Sequence, residues 1–150
     1  MLRYKCLLLD HDDTIVESTR LIHYPAFLET LRTLRPEEEP ISLHDFVTIC
    51  HHPGFTGLCD KYEFDESELN TEYTIWKKYT QSHIPSAYPG INAILRRFKE
   101  EGGKIVVISH SESTAIQRDY MSNFGWIPDL IFGWELGELY RKPYPYPLDE

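Results

Sequence analysis

What this chain lacks narrows its class first. No apolar run approaches the roughly 20 residues needed to span a bilayer, so a membrane-embedded protein is not expected. The N-terminal MLRYKCLLLDHDD also lacks a signal-peptide design, because its apolar run is short and closes in acids. Positive charge is scarce: 15 basic residues stand against 24 acidic ones, a formal net charge of −9. No basic stripe offsets that balance, which argues against nucleic acid and anionic membranes as partners and leaves only a local anion site. Cysteine is sparse as well. Cys6, Cys50 and Cys59 form an odd set without framework spacing, so a reducing, cytoplasmic setting is expected. No internal repeat is visible, and RKPYPYP is too short to read as a polyproline ligand.

What is present is a chain of 150 residues, 41% hydrophobic and 26% charged, enough for one domain with a real core or for a core with a small insert. YKCLLL, residues 4–9, reads as a strand buried on both faces of a parallel sheet. Ser18 and Thr19 cap a helical segment that Pro25 interrupts before AFLETLRTL continues it. Ser42 and Asp45 mark a helix start, HHPGFTG (51–57) reads as a loop, and Asp65 opens a long helix with acids at its positive end. Residues 17–86 hold no convincing strand. The pattern then changes to a turn at AYPG, an amphipathic helix INAILRRFKE, a strand KIVVIS, a helix from Ser111 to Phe124 and a strand DLIFGW. One strand, a helical block and then βαβ predict an α/β, Rossmann-like parallel-sheet core at 1–16 and 87–150 with an all-helical insert at 17–86.

Ligands of open parallel sheets bind beyond the carboxyl ends of the strands. Strand one ends at Asp10, with Asp12 and Asp13 close behind; strand two ends at Ser109; Lys142 follows strand three in a loop fixed by Pro143. Clustered acids repel, so they need a cation, a shared proton or a reaction. Two acids, a hydroxyl and an ammonium at one edge suit phosphoryl transfer. One carboxylate attacks phosphorus, a second protonates the leaving alkoxide, Mg²⁺ neutralises charge, and the hydroxyl and lysine hold phosphate oxygens.

Asp10-His11-Asp12-Asp13-Thr14 resembles motif I (DxDxT) of the haloacid dehalogenase-like (HAD) hydrolases. Ser109 resembles motif II and Lys142-Pro143 motif III, while Tyr88-Pro89-Gly90 is similar to the segment re-entering the core after a C1-type helical cap, as in phosphoglycolate phosphatase-like members. The resemblance implies a Mg²⁺-dependent hydrolase of a small phosphorylated metabolite. Asp10 would be nucleophile and metal ligand, and Asp12 general acid-base and metal ligand through its carbonyl. Thr14 would support the loop, while Ser109, Lys142 and His110 would bind phosphate. The acid at position 12 argues against true dehalogenation, since a halide leaves without a proton. Asp13 stands where the motif usually has glycine. The family's motif IV has no counterpart here, which implies a core incomplete at its C-terminal side, weakened metal binding and activity, and self-association through the uncovered edge of strand one.

Two other functions compete. A signalling receiver shares the acids, the strand-ending hydroxyl and the lysine, but takes phosphate on an aspartate ending a mid-chain strand. A non-catalytic HAD fragment would bind phosphate without turnover. Cys50, His51, His52 and Cys59 match no common zinc spacing, and the HHPGFTG loop reads as cap surface facing the active site. Tyr73, Trp76 and Tyr79 fall at helical spacing and read as cap core; Ser111 reads as a helix cap.

Overall fold

The computed structural model describes residues 2–149. In chain order its elements are β1 (Cys6–Leu9); a π-helical turn (Thr19–His23) running into α1 (Tyr24–Leu34); α2 (Leu43–His51); α3 (Phe55–Lys61); α4 (Glu66–Ser82); α5 (Ile91–Glu100); β2 (Lys104–Ile108); α6 (Ser113–Phe124); β3 (Leu130–Phe132); two 3₁₀ turns (Trp134–Leu136 and Glu138–Tyr140); and α7 (Tyr146–Asp149). The chain divides into two compact units, one formed by the residues up to Ser18 and from Ile84 onwards, the other by Thr19–His83. None of the described helices is long and apolar enough to cross a membrane.

The first unit is built on a parallel sheet of order β1-β2-β3, with Leu7 opposite Ile105 and Val107 opposite Ile131. Parallel neighbours require a crossover, and α6 supplies it between β2 and β3. Gly125 ends α6 in the left-handed conformation at φ +77°, its N–H returning to the Met121 carbonyl at 3.0 Å. β2 is central: Ile105 and Val107 are fully buried among Ile15, Val16, Leu95, Ile116 and Tyr120. Each such side chain contributes about 1.5–3 kcal/mol through the water it sheds. Where the helical insert leaves and returns, the chain is stapled to itself. Glu17 N–H donates to Ser86 O at 2.9 Å and Tyr88 N–H to Ile15 O at 3.0 Å.

β1 corrects one expectation. It pairs only with β2 among the described residues, which leaves the expected open edge, but it alternates in exposure, with Leu8 50% exposed. An apolar run was read as burial on both faces, but burial depends on neighbours that composition does not specify.

The Thr19–His83 unit packs around Phe27, whose ring meets Phe46, Phe55, Tyr62 and Phe64 at centroid distances of 5.4–6.3 Å. Ser42 caps α2 by accepting the Asp45 N–H at 3.1 Å, and Asp65 and Glu68 form a reciprocal capping box on α4. Arg35 grips both Glu68 oxygens, at 2.5 and 2.9 Å, and the Tyr62 carbonyl at 2.9 Å. That pairing, with the capping N–H of Asp65, holds the Glu68 carboxyl down at about 2. No described residue between Thr19 and His83 lies in a strand, so the mid-chain strand a receiver needs is not there.

Three details of this unit depart from expectation. Pro25 does not interrupt the helix, because it falls at the start of the α-helical section where its missing N–H goes unneeded, behind a wider π turn. Of the 51–57 stretch only residues 52–54 form a loop; His51 ends α2 and from Phe55 the chain is helical again. Tyr73 is 49% exposed and Trp76 and Tyr79 are only partly buried. The residue of α4 that is buried is Glu72. Helical spacing identifies a stripe, but does not say which stripe faces inward.

Candidate active site

β1 delivers Asp10 to the carboxyl edge of the sheet, and the chain then folds around one carbonyl. His11 O receives the N–H groups of Thr14, Ile15 and Val16 at 3.4, 3.0 and 3.3 Å, while Asp13 N–H reaches Val16 O at 2.8 Å. Asp13 adopts φ +52°. The turn that glycine makes freely is therefore kept with an aspartate, among the non-glycine residues that best tolerate this region.

Four of the expected residues form two pairs. Lys142 Nζ lies 2.7 Å from Asp10 Oδ1, in side chains 33% and 44% exposed. The same oxygen accepts the His11 N–H at 2.7 Å, while Asp10 Oδ2 has no hydrogen bond or ion pair among the described residues. Asp12 Oδ2 accepts the Ser111 hydroxyl at 2.6 Å and the buried Ser109 hydroxyl at 3.4 Å, and Ser109 Oγ in turn accepts the Ser111 N–H at 3.0 Å. A cavity of about 240 Å³ reaches Asp10 and Lys142 together with Leu8, Ile108, Tyr144 and Leu148; Asp12 and Ser109 do not line it. The polar end of that cavity is the Asp10–Lys142 pair, and its walls are apolar.

The remaining expected residues lie at the rim or beneath it. His110 donates Nε2–H to the Lys142 carbonyl at 2.8 Å, so its ring holds the lysine's backbone. The Thr14 side chain is exposed, and its hydroxyl makes no hydrogen bond among the described residues. Ser111 is the residue that sequence reasoning undervalued. It does not cap α6, whose first N–H, at Ser113, is taken by Glu135 Oε2 at 3.1 Å. Burial raises the Glu135 carboxyl, and the Ser113 hydrogen bonds more than offset it, leaving it below the usual range. The S-x-S spacing was the available signal for Ser111: alternate residues leaving a strand point the same way.

The Cys50–Cys59 region belongs to the Thr19–His83 unit. Burial and each other's proximity push the Cys50 thiol up to about 11; burial, Glu72 and Asp60 do the same to Cys59. No three described His, Cys, Asp or Glu residues are placed to hold a metal ion between them.

Comparison with known proteins bears on the fold. Neither the protein-family models nor the curated proteins match the sequence. Solved structures do match the fold. A protein described as a predicted phosphoglycolate phosphatase from Haemophilus somnus 129PT is 21% identical at a TM-score of 0.78, over 99% of this chain and 70% of its own. A protein assigned as a haloacid dehalogenase-like hydrolase from Bacteroides fragilis is 22% identical at a TM-score of 0.76, over 97% and 70%. CbbY from Rhodobacter sphaeroides, solved with xylulose 1,5-bisphosphate and with phosphate, is 16% identical at 0.65, over 89% and 64%. The chain thus has the fold of the HAD-like hydrolases, and spans less than two thirds of CbbY and about seven tenths of the other two.

Proposed function

We propose that this chain belongs to the HAD-like hydrolases and carries the site of a phosphatase, one that cleaves a small phosphomonoester through an aspartyl-phosphate on Asp10. The observation that supports the reading most directly is the Asp10–Lys142 ion pair at 2.7 Å, at the mouth of a cavity and two residues from a second, hydroxyl-bound carboxylate. With Oδ1 engaged by Lys142 and the His11 N–H, Oδ2 is the oxygen left to attack. It forms a bond to phosphorus as the bond to the alkoxide breaks, and the carboxyl of Asp12 gives that alkoxide its proton. Asp12, now ionised, takes a proton from water, whose oxygen attacks the acyl phosphate. Orthophosphate leaves and both carboxyl groups return to their starting states. Lys142 and Ser109 counter the charge on the transferring oxygens.

The cation this chemistry calls for is Mg²⁺. Asp10 is a half-exposed carboxylate, and its oxygen that does not attack offers, together with the Asp12 main-chain carbonyl, two hard oxygens. That partial set fits Mg²⁺, which keeps several waters and takes the rest of its shell from phosphate oxygens. Bound there, it would cancel the repulsion between carboxylate and phosphate.

The test is a phosphate-release screen with Mg²⁺ and with EDTA, started from 2-phosphoglycolate and xylulose 1,5-bisphosphate, the compounds that the names of similar structures point to. Release in Mg²⁺ that falls to background in EDTA and in Asp10→Asn is expected, with Asp12→Asn slowed at least roughly 100-fold. Undiminished turnover by Asp10→Asn contradicts the mechanism. Orthophosphate binding without release from any phosphomonoester indicates the non-catalytic alternative.

A further inference from the structure

We propose that His11 is a positioning residue: its imidazole, tied to Asp119 on α6, fixes the loop that carries Asp10 and Asp12. Its kinetic consequence rests on the phosphatase reading above, while its structural consequence stands on geometry alone. His11 lies between the two key acids, yet its ring turns away from them and is only 1% exposed. Nε2 lies 3.2 Å from Asp119 Oδ2. The carboxylate oxygen accepts and Nε2–H donates.

Asp119 is itself held from several sides. Its other oxygen takes Arg118 Nε at 2.9 Å and Nη2 at 2.7 Å. Its carbonyl accepts Asn123 Nδ2 at 2.9 Å, and Asn123 also binds Pro85 O at 3.0 Å and the Ala87 N–H at 2.9 Å. The imidazole lies against the buried Tyr120 ring, centroids 5.9 Å apart. Behind the loop there is thus a fixed post, made by α6 and by the strand-like segment where the chain re-enters the core.

The main chain of His11 joins that post to the site. Its N–H holds Asp10 Oδ1 at 2.7 Å, and its carbonyl gathers the three N–H groups that close the 11–16 turn. A buried polar pair is poor value as a source of stability, since apolar groups of similar volume in both places generally do as well or better. What leucine here cannot provide is a directional bond that sets the loop's rotation. A carboxylate aimed for in-line attack needs that, because a displacement of about 1 Å costs on the order of 100-fold in rate.

Four variants test this: His11→Leu, which removes the bond; His11→Asn, too short to reach Asp119; Asp119→Leu; and His11→Gln, whose amide N–H can replace Nε2–H. In Mg²⁺-dependent phosphate release, the first three are expected to lower kcat about 10- to 100-fold with KM within about twofold. His11→Gln should recover to within about threefold. The double variant His11→Leu/Asp119→Leu should be no slower than either single one, the mark of two groups acting as one unit. Backbone hydrogen exchange provides a readout independent of turnover. The amides of Asp13 and Ile15 should exchange at least about tenfold faster in His11→Leu and His11→Asn, with β2 amides unchanged, and return to the original rate in His11→Gln. If the unaltered chain releases no phosphate from any phosphomonoester, the phosphatase reading fails and exchange alone decides. Unchanged loop protection in His11→Leu or His11→Asn, or an unchanged kcat in a folded His11→Leu chain, overturns the proposal.

Discussion

Glu72 is the residue of α4 that folding treats worst, and replacing it should reveal by how much. It is 7% exposed, and its carboxyl has no hydrogen-bond partner among the described residues. Burial pushes its pKa from the ordinary 4.5 up to about 7, with His23 nearby pulling weakly the other way. Cys59 registers the same proximity, its thiol raised in part by Glu72. A carboxyl that binds its proton more tightly folded than unfolded takes up protons on folding between those two values. Stability therefore falls as pH rises from about 4.5 to about 7 and levels off above that. At about 1.4 kcal/mol per unit, the loss amounts to roughly 3 kcal/mol. Glu72→Gln keeps the shape and removes the titration. Urea unfolding followed by far-ultraviolet circular dichroism, at pH 5 and pH 8, should show the variant more stable than the parent by roughly 2–3 kcal/mol at pH 8 and by little at pH 5. Carboxyl NMR should find the Glu72 midpoint near 7. A midpoint in the ordinary carboxylate range, or a stability difference that does not change between the two pH values, would refute the reasoning.

Acid should weaken the other unit by the opposite sign. Burial raises the Asp129 carboxyl, but the Ile105 N–H and the ammonium groups of Lys104 and Lys99 outweigh it and bring it to about 2. Its stabilisation is complete above about pH 4 and is lost as pH falls towards 2, so Asp129→Asn should flatten the acid limb of a stability–pH curve by about 1–2 kcal/mol. A limb of unchanged steepness contradicts the assignment. At the site, Asp13→Gly should raise the unfolding free energy by about 0.5–1 kcal/mol, because glycine carries no side chain to strain φ +52°. The 11–16 turn should keep its amide protection, and a destabilised variant would show that the Asp13 side chain contributes more than the strain costs.

Much of the site was legible because its chemistry is written in residue types at strand ends. Asp10, Asp12 and Ser109 were placed from apolar runs closing in polar residues and Lys142 from the loop before Pro143, and the structure pairs Asp10 with Lys142 and Asp12 with Ser109. Capping residues were equally local: Ser42, Asp65 and Gly125 act within one turn of themselves. What sequence left open concerns partners distant along the chain. His11 meets Asp119 across 108 positions and Ser111 meets Asp12 across 99. No periodicity encodes such contacts, since they depend on where β2 and α6 come to lie beside β1.

The sequence by itself determined the element types, the helical insert and the set of reactive groups, because these follow from local propensity, period and the chemistry of individual side chains. The tertiary structure alone decided that β1 leaves Leu8 half exposed, that α4 turns Glu72 inward in place of its aromatic residues, and that the middle residue of the acid motif is anchored in the core. Burial and pairing belong to the packed assembly of elements, and the same short segment is exposed or enclosed according to what folds against it.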